Sequence, residues 1–170
     1  VAYRVLEYLA VRGSVALPAT AVRDGLTSAT WPGRLETFTL DGGRTVTLDA
    51  AHNPHGASAL AAHLQRWFPP RPVLIFAAMA DKDLTGMLRA LLPVTGPVVL
   101  QTMTSPRAAR PDLIRDVVAA LDPQREVLVA EDAPAALALA WTRSPAVVAA
   151  GSIVLVGEVR DALTPRAILR

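Results

Sequence analysis

The sequence predicts an α/β fold: a six-stranded doubly wound sheet, mostly parallel, with one antiparallel strand from an N-terminal β-hairpin. Three observations carry this. From residue 45 onward, apolar runs of strand length alternate with longer stretches at helical spacing. DGGR at 41–44 has the Asp-Gly and Gly-Gly pairs that supply the positive φ angles of a tight turn. TVTLDAAHNPHG at 45–56 reads as strand, short polar turn and helix. Val46 and Leu48 alternate with threonines, Asn53 is a good N-cap, and Pro54 suits the first helical position.

Taken in order, residues 1–11 form an amphipathic helix with Val1, Val5, Leu6, Leu9 and Ala10 on one side, closed by Gly13. A second helix covers 17–26, with Pro18 near its start and Gly25 near its end. Neither has a partner strand. WPGR at 31–34 is a turn. Strands at 35–40 and 45–49 flank the hairpin turn, so the first is antiparallel to the second. Then come a helix over 57–67, a continuous apolar strand within 72–79, and the turn ADKD at 80–83. A helix over 84–92, a strand over 98–101, a polar loop over 102–110 and a helix over 111–121 follow. The remaining expectations are a strand at 126–130, a helix capped by Asp132 and running to about Arg143, a last strand at 152–156, and a short final helix after Gly157-Glu158. The tail 166–170 is expected to fray.

Composition narrows the function classes. Of the 170 residues, 52 % are apolar, enough for a real core, and the length fits one domain, or one domain plus a fragment of another. The net charge of +2, with no dense basic run carrying interleaved aromatics, argues against a nucleic-acid partner. The absence of cysteine removes disulfides and thiolate metal sites. No stretch is long and apolar enough for a spanning helix, and the first residues lack a signal-peptide pattern. The expectation is therefore a soluble cytoplasmic protein without a membrane partner. There is no GxxxxGK[ST] loop, no GxGxxG and no serine on a nucleophile elbow. His52, His55 and His63 lack metal-ligand spacing with carboxylates, so no metal site is assigned.

In a doubly wound sheet the carboxyl ends of the parallel strands share one rim, where ligands bind. Asp49 and His52 fall there, as do Asp81, Lys82 and Asp83, then Ser105 and Arg107, and finally Glu158. Read locally, each has two meanings. Asp49 caps its turn or meets a ligand, and Arg34 is a solvated surface residue or a planar donor to a phosphate. Lys82 pairs with its flanking aspartates or binds the charged end of an amino acid, and Ser152 pairs with backbone or substrate.

Four motifs in order then resemble a known family: WPGRLE at 31–36, LDAAHNPHG at 48–56, FAAMADKD at 76–83 and GSIVLVGEVR at 151–160. The chain is similar to the C-terminal domain of bifunctional dihydrofolate synthase/folylpolyglutamate synthases, in the Mur-ligase-like superfamily of ATP-dependent amide ligases. Two departures occur: Ala50 and Ala77 stand where the family commonly has glycine, each adding one methyl group. The resemblance implies that residues 1–30 are the end of the central ATPase domain and linker, and 31–170 the C-terminal glutamate-ligase domain. It implies ATP and Mg2+ as cofactors, with the phosphate loop and metal ligands on the central domain, so that this chain alone is inactive. Its partners would be ATP, L-glutamate, dihydropteroate or a folate, and the N-terminal ATPase domain. His52 and Asp49 are the catalytic candidates, and Arg34, Asp49, His52 and Asn53 bind the nucleotide. Lys82, Asp83 and Ser152 are assigned to the glutamate side. A peptidoglycan Mur-type ligase domain and a non-catalytic module that keeps the fold are the alternatives.

Overall fold

The structure, a computed structural model, describes residues 2–68 and 70–164. The chain divides into two compact units, Val1–Pro32 and Gly33–Arg170. The first holds α1 (Ala2–Val11) and α2 (Ala19–Thr27). Helix α2 begins later than its periodicity suggests, because Pro18, at φ −63° and ψ 141°, is extended and acts as the cap. Its apolar residues and those of α1 find no core: Val5, Leu6 and Leu9 stay exposed, and α2 buries nothing.

The second unit is one sheet with helices on both faces. Its elements are β1 (Glu36–Leu40), β2 (Arg44–Asp49), α3 (Pro54–Trp67), β3 (Val73–Phe76), α4 (Leu84–Leu91) and β4 (Val98–Gln101). Then come α5 (Pro111–Leu121), β5 (Val127–Ala130), α6 (Ala133–Trp141), β6 (Ala146–Ala150) and α7 (Ile153–Leu163). The strand order is β1-β2-β6-β3-β4-β5, and only β1 is antiparallel to its neighbour. The hairpin turn 41–43 uses positive φ at Gly42 and Gly43, as DGGR predicts.

Strand alternation builds two cores. Leu74 and Phe76 of β3, with Val148 and Ala150 of β6, face Leu60, Leu64, Met87, Leu88, Ile114 and Val118 of α3, α4 and α5. The intervening residues Val73, Ile75, Val147 and Ala149 face Ala136, Leu137 and Ala140 of α6 and Leu155 and Val159 of α7. Each fully buried Leu, Ile or Phe contributes about 1.5–3 kcal/mol, so the double coverage accounts for the continuous apolar runs of β3 and β6. Among the described residues no helix is long and apolar enough to cross a membrane.

One element differs from expectation. The last strand is Ala146–Ala150, and the expected strand at 152–156 is the first turns of α7, which extends through Glu158 to Leu163. Ile153, Val154, Leu155 and Val156 form an apolar run rich in β-branched residues, but Gly151 turns the chain at φ 115° and Ser152 caps a helix immediately after it. The alanine-rich AVVAA strand is weak by propensity and is fixed by pairing on both sides with β2 and β3. The expected tail at 166–170 lies outside the described residues.

Candidate functional site

The parallel strands β2, β6 and β3 end level with one another: Asp49 pairs with Ala150, and Ala150 with Phe76. Helices α3 and α4 leave β2 and β3 on one face, while α7 leaves β6 on the other. A cleft therefore opens above β6, at the switch point of the sheet. The N-termini of α3, α4 and α7 all start at this rim. Each is capped by a side-chain oxygen: Asn53 Oδ1 from Gly56 N at 2.9 Å, Asp83 Oδ1 from Gly86 N at 2.8 Å, and Ser152 Oγ from Val154 N at 3.1 Å. Three positive dipole ends favour negative charge here. Strand β1 runs the other way, so its first residues, and Arg34 just before them, lie at the same rim, with Glu36 opposite Leu48.

On the β1–β2 flank the backbone is tightly held. Asp49, 8 % exposed, accepts Ala51 N at Oδ1 (2.9 Å) and Leu35 N at Oδ2 (3.1 Å). Gly33 O accepts Ala50 N at 2.7 Å, and Gly33 N donates to Glu36 Oε2 at 2.8 Å. Arg34 sits exposed at the tip of the turn so fixed. Both oxygens of Asp49 thus hold backbone amides.

Over β6 lies a cavity of about 270 Å³ lined by His52, Met79, Lys82, Arg107, Gly151, Ser152, Ile153 and Val154. That size suits an amino acid and falls below the roughly 300–1,000 Å³ of sites for larger ligands. His52 Nδ1 lies 2.9 Å from Ala50 O. A carbonyl only accepts, so the proton is on Nδ1 and the lone pair of the neutral ring is on Nε2. Asp81 joins two cations at the mouth: Lys82 Nζ at 3.3 Å and an Arg107 nitrogen at 3.2 Å. The hydrogen bond from Lys82, helped by the charges of Lys82 and Arg107, holds the Asp81 carboxyl below the usual carboxylate range. Among the described residues no group of three His, Asp or Glu side chains is placed to hold a metal ion.

The structure therefore brings His52, Lys82 and Ser152 together around one cavity, while Arg34 and Asp49 do not line it and lie at the same rim on the β1–β2 side. Asn53 and Asp83 are at the rim as helix caps and do not line it. Glu158 lies in α7, accepting Gln101 Nε2 at 2.6 Å and Thr104 Oγ1 at 2.9 Å. Ser105 sits over Met79, its Oγ 3.7 Å from the sulfur. Sequence reasoning passed over Met79 and Gly151 as lining residues. Gly151 was hidden by the misplaced strand: an added Cβ there would abut Ala77 O and lie 2.7 Å from the Phe76 ring. The pairing of a Gly with a Ser, Thr, Asp or Asn before an apolar run was the available signal.

The family described as "Mur ligase, glutamate ligase domain" matches residues 33–157. The dihydrofolate synthase/folylpolyglutamate synthase of Mycobacterium tuberculosis is 46 % identical over 93 residues, 54 % of this chain and 19 % of that protein. A probable bifunctional folylpolyglutamate synthase/dihydropteroate synthase of Halobacterium salinarum is 34 % identical over 146 residues, 85 % of this chain and 18 % of that protein. The chain thus spans about a fifth of the length of these curated relatives. Among solved structures, M. tuberculosis folylpolyglutamate synthase complexed with ADP and AMPPCP superposes with a TM-score of 0.78 at 35 % identity, covering 88 % of this chain and 36 % of that one.

Proposed function

The chain belongs to the Mur ligase glutamate ligase domain family, and from that premise we propose that it is the C-terminal domain of an ATP-dependent ligase that joins L-glutamate to dihydropteroate, to a folylpolyglutamate, or to both. The observation that carries the reading is the amino-acid-sized cavity over β6, lined by His52, Lys82, Arg107 and Ser152 beside the pinned Arg34 turn. On this reading residues 1–30 are the end of the central ATPase domain and its linker, and 31–170 the C-terminal glutamate-ligase domain. A cytoplasmic location goes with this reading.

The chemistry proceeds in two steps. A carboxylate oxygen of the pterin substrate takes the γ-phosphoryl group of ATP, giving an acyl phosphate and ADP. The glutamate amine then attacks the acyl carbon, phosphate leaves with the C–O bond electrons, and the amine loses a proton as the amide forms. Arg34 offers a planar fork to nucleotide phosphates, and Asp49 offers its carboxylate to ribose hydroxyls. His52 holds or moves a proton at Nε2 near the transferring group, since Nδ1 is committed to Ala50. Lys82, with Asp83 beside it, and Ser152 orient the glutamate. Mg2+ neutralises phosphate charge when bound, and its ligands are assigned to the ATPase domain. Closure of the two domains excludes the water that would hydrolyse the acyl phosphate.

The test uses the full-length polypeptide with ATP, L-glutamate and dihydropteroate or a reduced folate. ADP release coupled to a glutamylated product is expected, and none from the 170-residue chain alone. ADP release with UDP-N-acetylmuramyl acceptors, and none with pterins, would overturn the assignment.

A further inference from the structure

We propose that Glu36 and Arg160 are positioning residues for Arg34, locking its turn to helix α7 so that the Arg34 guanidinium and the Ser152 end of that helix move as one unit. The first sign is strain. Leu35 has φ 48°, a left-handed conformation that a Leu rarely adopts, and the residue is 41 % exposed. Burial therefore does not explain the conformation. Such strain persists where the surroundings over-determine it, and it collects at ligand clamps.

The restraints are all identifiable. Leu35 N donates to Asp49 and Gly33 N to Glu36, while Gly33 O takes Ala50 N. Glu36 is in turn gripped by Arg160 Nε, at 3.1 Å and 3.2 Å from its two oxygens. A Cβ on Gly33 would lie 2.7 Å from Val156 Cγ1, so the turn is seated directly on α7. Ser152, Val156 and Arg160 are spaced four apart and form one stripe along that helix. One end of the stripe caps at the cavity, the middle packs under Gly33, and the far end holds Glu36. The Arg160–Glu36 pair is partly exposed, with side chains 40 % and 23 % accessible. Exposed pairs add little to global stability, so its consequence is the geometry of the turn.

The kinetic part of this inference rests on the reading of Arg34 as a nucleotide contact; the structural part does not. Amide exchange on the 170-residue chain reads the structural part. Glu36→Gln and Arg160→Ala should speed exchange at Gly33 and Leu35 at least about tenfold, with β3 and β6 amides unchanged as the control for folding. Arg160→Lys, which keeps the charge and a donor, should recover most of the protection. In the full-length ligase the same two variants should raise KM for ATP roughly tenfold, well beyond any change in KM for glutamate. Unaltered Gly33 and Leu35 exchange in Arg160→Ala, whose partly exposed side chain is outside both cores, would overturn the proposal. Faster exchange with an unchanged KM for ATP would overturn its kinetic part. Absence of ATP turnover in the wild type would sink the ligase reading alone, with the exchange result still deciding the positioning role.

Discussion

Arg34 and Lys82 stand on opposite flanks of one rim and are held in different ways. The Arg34 turn is fixed by the Leu35 amide on a buried carboxylate, Asp49, by Gly33 O taking the Ala50 amide just after β2, and by Gly33 N on Glu36, itself held by Arg160. The Lys82 turn also has backbone bonds, from Ala80 N to Arg107 O and from Lys82 N to Met79 O, but the Lys82 ammonium itself is held by an ion pair to Asp81, which is half exposed and shared with Arg107. Backbone restraints are short, directional and indifferent to salt, whereas exposed ion pairs are screened and exchange partners easily. The Arg34 turn, tied to a buried carboxylate, is therefore pre-organised, as the proposed nucleotide contact would use. The Lys82 ammonium is adaptable, as the proposed glutamate site would use, since a substrate carboxylate can replace Asp81.

The contrast can be broken in stages. Gly151→Ala should do most damage, because the Cβ meets Ala77 O and the Phe76 ring while φ is 115°. A loss of ~3 kcal/mol or more in chemical denaturation is expected; a loss too small to measure would mean that the junction between the flanks is not rigid. Asp49→Ala comes next. It leaves the Ala51 and Leu35 amides without acceptors and should cost ~2–4 kcal/mol, with Asn at the same position costing roughly half as much. If Asp49→Ala unfolds at the wild-type denaturant midpoint, the pinned flank has other supports.

His52→Ala separates chemistry from folding. It removes one hydrogen bond from a half-buried ring, so stability should fall by less than ~1 kcal/mol, while turnover of the full-length enzyme drops roughly a hundredfold. Normal turnover would remove His52 from the mechanism. The smallest effect belongs to the adaptable flank. The Asp81 carboxyl should titrate below the usual Asp range and move back up in Lys82→Ala, followed by NMR. Its folded pKa is depressed, so its contribution is present above the unfolded value and disappears as pH falls through the folded one. Melting near neutral pH should therefore be insensitive to pH through this group. A midpoint at or above the ordinary Asp value would show that the flank is not organised by Lys82.

The strand, cap and helix over 44–67 were legible because each signal is local: threonine alternation, Asn53 as the cap and Pro54 at the helix start. The β6–α7 segment was not. Val147 and Val148 among alanines carry less strand signal than Ile153, Val154, Leu155 and Val156, and only pairing with β2 and β3 decides the issue. His52, Lys82 and Ser152 were found by residue type at the ends of strands. The tie from Asp49 to Leu35, and from Glu36 to Arg160, joins positions far apart in sequence and leaves no periodic trace.

The place of β6 governs how the chain can be made. Residues 146–150 form the centre of the sheet, between β2 and β3, yet are synthesised after every other strand. Until they emerge from the ribosome, the hairpin of β1 and β2 has no lateral partner, and β3 shows a bare apolar edge to solvent. Such late, non-local closure slows folding and exposes nascent chains to aggregation. Polypeptides truncated before Ala146 should therefore be clients of chaperones or proteases rather than folded intermediates.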